Sequence, residues 1–213
     1  MIINKKMFVT TLILFFNLNI ISAMAVEEAK YEVLEKNGPF EIRRYHPMIL
    51  AETYVEGDFE DAGNAGFRRL FDYISGENRR NESIEMTAPV SQEKNGQKIE
   101  MTAPVNMQSK EGVYRITFMM PSGYTLDTLP TPNDEKVRIR KENGKVVAAY
   151  RYSGTWSQKK YEKMKNKLLS IIETKKLKPF GEPVFARYNS PFMPWLFRRN
   201  EILVDVDYQN KIE

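Results

Sequence analysis

Ile84-Glu85-Met86-Thr87-Ala88-Pro89-Val90 and Ile99-Glu100-Met101-Thr102-Ala103-Pro104-Val105 are one heptapeptide written twice, with Ser91-Gln92-Glu93-Lys94-Asn95-Gly96-Gln97-Lys98 between the copies. Asn-Gly flanked by alternating apolar runs predicts a β-hairpin, because a type I′ turn needs positive φ at both central residues. Centring the turn on Asn95-Gly96 pairs Met86 with Val105, Ala88 with Ala103 and Val90 with Met101. Side-chain alternation then gathers those residues on one face and Glu85, Thr87, Glu100 and Thr102 on the other. Pro89 and Pro104 cannot donate to a ladder, so each marks a bulge, an edge or a strand end. The Met, Ala and Val face reads either as core or as the wall of a pocket for a flat apolar ligand.

A looser repeat encloses this one. Laying Ala51 on Ala148 also lays Thr53 on Tyr150, Val55 on Tyr152, Gly57 on Gly154 and Phe59 on Trp156, without a gap. The same displacement puts Phe67, Phe71 and Ile74 on Met164, Leu168 and Ile171. Strand, glycine, aromatic and helix recur in order, which predicts two pseudo-symmetric halves sharing a core. Strand-like runs cover 31–35, 40–45, 48–55, 113–120, 137–140, 146–152, 184–188 and 202–206, and Asn37-Gly38 and Asn143-Gly144 read as further hairpin turns. One helix carries Phe67, Leu70, Phe71 and Ile74 at i, i+3, i+4, i+7 and stops at Ser75-Gly76. Ser157 is the N-cap of a second helix, stapled by Trp156 and Tyr161, whose buried stripe is Tyr161, Met164, Leu168, Ile171 and Ile172. Gly63 and Gly66 each cost about 1 kcal/mol against alanine inside a helix. Something approaches that backbone closely, either a strand beneath or a ligand across it. The expected architecture is one α+β domain, an antiparallel sheet curving into a distorted barrel with two helices, built from two strand-helix-strand halves.

The amino terminus reads as a signal peptide: Lys5-Lys6, an apolar run from Met7 to Phe16, and Ala23-Met24-Ala25 as the cleavage site. The run is far shorter than the ~20 residues that span a bilayer. The expected organisation is therefore a leader over 1–25, one domain over 26–208 and a tail over 209–213. A periplasmic or secreted location follows, with no stable membrane span after processing. Loss of the leader removes Lys5 and Lys6 and lowers the formal net charge of +4 by two. Such a chain has little of the positive charge that phosphate backbones demand, so nucleic acid is not an expected partner.

Catalytic signatures are missing. With no cysteine, thiol catalysis, thiolate metal sites and disulfides are excluded. The single histidine, His46, has neither a G-x-S-x-G elbow nor a second histidine to work with. Glu85 and Glu100 share a hairpin face, but the pairing puts them about 20 Å apart, too far for a glycosidase-type pair. Arg198-Arg199 follows the aromatic, proline-rich Pro191-Phe192-Met193-Pro194-Trp195-Leu196-Phe197. Those guanidinium groups either grip the carboxylates of an apolar ligand or pair with glutamate at the strand end.

The doubled Met-Thr-Ala-Pro-Val resembles the SOUL haem-binding protein family, and the resemblance runs from Tyr31 to Val206. It is carried also by Gly38-Pro39-Phe40-Glu41-Ile42-Arg43-Arg44-Tyr45, by Gly66-Phe67-Arg68-Arg69-Leu70-Phe71-Asp72-Tyr73-Ile74-Ser75-Gly76, by Pro121-Ser122, Thr125-Leu126, Leu129-Pro130 and Pro132-Asn133-Asp134, and by Arg198-Arg199-Asn200-Glu201. The resemblance implies a non-catalytic carrier, buffer or scavenger of haem or another tetrapyrrole, with the ligand held non-covalently between the first helix and the loop before the last strand. The implied binding residues are Asn64, Phe67, Leu70 and Phe71 from the helix and Met193, Pro194 and Trp195 from the loop, with Arg198 and Arg199 as the carboxylate partners. Asp72 and Met193 stand where one branch of the family carries basic residues for the propionates. Arg44 stands where another carries a histidine, and His46 lies two residues on, about 7 Å along a strand. Haem without a histidine axial ligand is the resulting expectation. The duplicated plan also resembles the wider GyrI-like group, which implies the alternative of an amphipathic ligand bound or hydrolysed in a central groove, with Tyr45, Glu52 and Tyr54 as candidate groups.

Overall fold

The computed structural model describes residues 26–80 and 96–208. The first heptapeptide and the hairpin expected at Asn95-Gly96 lie outside the described residues. Within them the order is β1 (Tyr31–Asn37), β2 (Phe40–Tyr45), β3 (Met48–Glu56), α1 (Phe59–Ile74), β4 (Asn78–Arg79), β5 (Val105–Lys110), β6 (Val113–Met119), β7 (Thr131–Pro132), β8 (Arg138–Glu142), β9 (Lys145–Tyr152), α2 (Gln158–Thr174), β10 (Lys178–Arg187) and β11 (Asn200–Asp207), with a 3-10 turn at Trp195–Phe197 before the last strand. β4 and β7 pair only with each other. The other nine strands form one antiparallel sheet ordered β1-β2-β9-β11-β10-β5-β6-β3-β8.

That order contains the repeat. Outward from the β10–β5 contact it reads β10, β11, β9, β2 on one side and β5, β6, β3, β8 on the other. Each half is a strand, a helix and two returning strands, and the leading strands are exchanged: β2 pairs with β9, while β8 pairs with β3. Gly57 and Gly154, superposed by the sequence repeat, both have positive φ, 127° and 137°. At each, the chain turns from strand into helix through a conformation that only glycine adopts cheaply.

Four expectations need correction. The sheet is open: β1 and β8 are edges, so it does not close into a barrel. Asn143-Gly144 joins β8 to β9 without a hairpin, because both neighbours of β9 are already β2 and β11. Local turn chemistry lost there to the exchange of lead strands. The turn after β1 sits at Gly38-Pro39, with Asn37 paired to Phe40 and Gly38 at φ 57°. Finally, the second heptapeptide does not alternate as a strand, since Thr102 is buried and Met101 exposed. It is a strap: Ile99 N–H donates to Ile74 O at the end of α1, Thr102 Oγ1 to Met119 O, and Ala103 N–H to Glu27 O.

Both helices pack on the same sheet face, around Phe59, Leu70, Ile116, Phe118, Leu168, Ile172, Phe185 and Ile202. The paired glycines of α1 are explained by packing. A Cβ on Gly66 would lie 2.6 Å from Ile116 of β6, and one on Gly63 3.3 Å from the Met107 sulfur and 3.7 Å from the Arg187 guanidinium. Both helices end in Schellman motifs. Glu77 N–H donates to Asp72 O with Gly76 at φ 117°, and Leu177 N–H donates to Ile172 O with Lys176 at φ 57°. Ser157 caps α2 as expected, its hydroxyl accepting from Lys160 N–H at 3.4 Å.

Candidate functional site

On α1 the deeply buried stripe is Ala62, Gly63, Gly66, Leu70, Tyr73 and Ile74. Phe67 is only partly buried and Phe71 is 43% exposed. The two rings stack 5.8 Å apart and inclined by 13°. One turn along the helix lies Asn64, so Asn64, Phe67 and Phe71 form a ridge beside the core rather than within it. That ridge is one wall of a cleft of about 380 Å³. The opposite wall is Tyr188-Asn189-Ser190-Pro191-Phe192; Met101, Thr102 and Ala103 of the strap, with Val26, line a third side. Trp156 and Arg187 also line it, and they continue with Asn64 into an adjoining hollow of about 340 Å³ bounded by Phe59, Glu60 and Met107.

Arg187 follows Phe185 by two residues on β10, and therefore projects to the helix side of the sheet. Its Nη2 is buried and has no hydrogen-bond partner among the described residues. Burial, with no carboxylate among the described residues to offset it, draws its pKa down to about 10. What it touches is aromatic: the guanidinium lies 5.2 Å from the Trp156 ring centroid and 5.9 Å from that of Phe185. Trp156 is fixed in turn by Nε1–H donating to Asn200 Oδ1 at 2.8 Å. An unpaired guanidinium within an apolar cleft is costly, and an anionic ligand group would relieve that cost.

The nine residues expected to bind separate into distinct groups. Asn64, Phe67 and Phe71 line the cleft, whereas Leu70 points into the core and is fully buried. Met193, Pro194 and Trp195 lie further along the loop, off the cleft wall and exposed. Arg198 is committed to its own loop, Nε donating to Met193 O at 2.7 Å and Nη2 to Pro191 O at 2.8 Å, with its plane over Trp156 at 4.2 Å. Arg199 is taken by carboxylates, at 3.0 Å from Glu201 and 2.8 Å from Glu28. Neither arginine is aimed at the cleft; they organise its far wall. Met101 and Ala103 belong to the face read from the sequence as a possible pocket wall, and both line the cleft; Arg187, and Trp156 as a cleft residue, had no such reading. A signal for Arg187 was present, since a charge in phase with Phe185 on a core-facing strand position demands a reason.

The opposite sheet face holds the other candidates. Glu52 accepts from Arg115 at 2.7 Å and Arg140 at 2.8 Å, with Tyr54 at 3.4 Å. Glu201, wholly buried, accepts from Arg43, from Tyr188 at 2.9 Å and from Arg199. Burial alone would raise both carboxyl pKa values, but the arginine hydrogen bonds and charges prevail and hold both below the usual glutamate range. Ionised, hydrogen-bonded carboxylates of this kind have no proton to donate and little basicity. The hollow on that face, lined by Tyr45 and Arg115 and by neither Glu52 nor Glu201, measures about 70 Å³. His46 is exposed, 4.0 Å from Glu32, and belongs to a separate hollow with Pro121, Ser122 and Tyr124. Among the described residues no cluster of His, Asp or Glu could hold a metal ion, and no helix is long and apolar enough to cross a membrane.

Comparison with known proteins agrees with the fold and with the motif order. The family profile described as SOUL heme-binding protein matches residues 26–95 and 91–205. Human heme-binding protein 2 is 31% identical over 194 residues, covering 84% of this chain and 90% of the relative. Its mouse counterpart is 29% identical over 188 residues, covering 84% and 87%. A hydrolase from Listeria innocua superposes with a TM-score of 0.53 at 10% identity, over 82% of this chain and 94% of that one. At that identity the likeness concerns the fold alone.

Proposed function

The chain belongs to the SOUL haem-binding protein family, and on that premise we propose that it binds haem or a related tetrapyrrole in the α1 cleft without catalysing a reaction on it. It acts as a carrier, buffer or scavenger outside the cytoplasm, with residues 1–25 removed, 26–208 as the binding domain and 209–213 as a tail. The observation that carries this reading is the pairing of an apolar cleft with a guanidinium, that of Arg187, whose buried Nη2 has no partner among the described residues. A tetrapyrrole is a flat apolar disc with carboxylates at its rim, and the cleft offers matching chemistry. Phe67 and Phe71 supply aromatic surface, Met101 and Phe192 adaptable apolar surface, and Asn64 and Arg187 the polar contacts. The cleft lining contains no histidine, so affinity comes from burying the macrocycle and pairing its carboxylate. Haem titrated into the purified protein should give a saturable change in the Soret band at micromolar concentration. A linear, unsaturable change would refute the reading.

A further inference from the structure

Seven consecutive residues, Pro191 to Phe197, form a loop that holds its apolar side chains in solvent. Phe192 is 94% exposed and Phe197 73%, with Trp195 and Leu196 more than half exposed between them. Exposed apolar surface concentrated in one short loop marks an interaction site. From Asn189 to Phe197 the chain carries no charged residue.

The hydrogen bonding of the loop says what kind of partner fits. Pro191 and Pro194 have no N–H. Met193 N–H donates to Ser190 O at 3.0 Å, Phe197 N–H to Pro194 O at 2.9 Å, and Phe192 N–H to Ser190 Oγ at 3.3 Å. The carbonyls of Pro191 and Met193 accept from Arg198, which has no carboxylate partner among the described residues. Three of the five N–H groups of the loop are thus satisfied from within, and those of Trp195 and Leu196, without a partner among the described residues, suit the hydrated headgroup–acyl boundary and not the hydrocarbon interior. Few directional groups are left by which a particular protein could be recognised. Trp195 supplies the amphipathic ring favoured at membrane interfaces, and Arg198, bound to carbonyls of the loop, puts a positive charge at the base of the apolar tip, of the sign that anionic headgroups attract.

We propose that the 191–197 loop docks the protein shallowly on a lipid bilayer containing anionic lipid, with Phe192, Trp195, Leu196 and Phe197 at the headgroup–acyl boundary. Pro191 and Phe192 also line the α1 cleft, so the docked loop would open the cleft toward the membrane. An apolar ligand could then pass between bilayer and cleft without crossing water. The proposal does not depend on which ligand the cleft holds.

The chain has no cysteine, so Leu196→Cys labelled with a polarity-sensitive dye reports on this loop alone. Lys110→Cys, at the other end of β5, is the control. Vesicles of phosphatidylcholine with about one-quarter phosphatidylglycerol should brighten and blue-shift the dye at Leu196→Cys and leave the control unchanged. The pair Leu196→Ser and Phe197→Ser, neither lining the cleft, should lower vesicle co-sedimentation by about tenfold or more, with haem titration unaltered. Three results would overturn the proposal: no response at Leu196→Cys, an equal response at Lys110→Cys, or a response without vesicles accompanied by a doubled mass in light scattering. The last would mean that a second copy of the chain covers the loop. Because haem titration is read separately, failure here leaves the haem reading untouched.

Discussion

Arg187→Met should make the protein more stable and a poorer binder of carboxylated porphyrins. Burial lowers the Arg187 guanidinium pKa from the ordinary arginine range to about 10. At about 1.4 kcal/mol per tenfold change in acidity, keeping the charge there at neutral pH costs on the order of 3 kcal/mol. Stacking on Trp156 and Phe185 returns about 1 kcal/mol. Methionine keeps most of the stem packing and removes the charge, so a net gain of about 1–2 kcal/mol is expected in urea unfolding at pH 7. The sign follows from a cation with a depressed folded pKa: its penalty is fully present at neutral pH and fades as pH rises through about 10. The gain from Arg187→Met should therefore shrink in alkali. Binding should move the other way. A charge-assisted hydrogen bond contributes about 1.5–3 kcal/mol, so haem affinity should fall about ten- to a hundredfold. A porphyrin dimethyl ester should bind both proteins alike. Destabilisation by more than about 1 kcal/mol, or equal loss for acid and ester, would refute the reasoning.

Other predictions follow from packing and charge. Gly66→Ala gains about 1 kcal/mol of helix propensity but drives a Cβ to 2.6 Å from Ile116, where overpacking costs about 1–3 kcal/mol; net destabilisation should show in thermal unfolding and shrink in an Ile116→Ala background. Lys176→Gly relieves a left-handed residue at the C-terminus of α2 and should raise stability by about 1 kcal/mol in denaturant titration. Glu201→Gln leaves buried Arg43 with Glu41, at 2.8 Å, as its remaining carboxylate partner and should cost about 1.5–3 kcal/mol. Because the Glu201 pKa is lowered in the folded state, its contribution is present above the unfolded value of about 4.3 and is lost as pH falls through the folded value; the variant should lack that part of the acid sensitivity. His46→Ala should leave the haem absorption spectrum unchanged, since His46 is not part of the cleft.

What the sequence disclosed was whatever is written in local periodicity. The α2 stripe and its Ser157 cap, the stop of α1 at Ser75-Gly76 and the superposition of Gly57 on Gly154 all reappear in space. Sheet closure and strand partners did not emerge, because β2 and β8 exchange halves and no local signal encodes that choice. Val105-Asn106-Met107-Gln108 alternates clearly and forms β5, so the strand begins where the repeated heptapeptide ends and not within it. Phe67 and Phe71 share the helical spacing of core residues. Only the close approach of Gly63 and Gly66 to β5, β6 and β10, which sets the roll of α1, turns those rings toward the cleft. Arg198 and Arg199 stood out by their charge, but their partners are fixed by residues distant in the chain and were unreadable.

The most direct test is a crystal structure of the protein with haem bound. The macrocycle should lie against Phe71, between α1 and Asn189–Phe192, with a carboxylate at Arg187. Density instead on the opposite sheet face, beside Glu52 and Tyr45, would contradict the account.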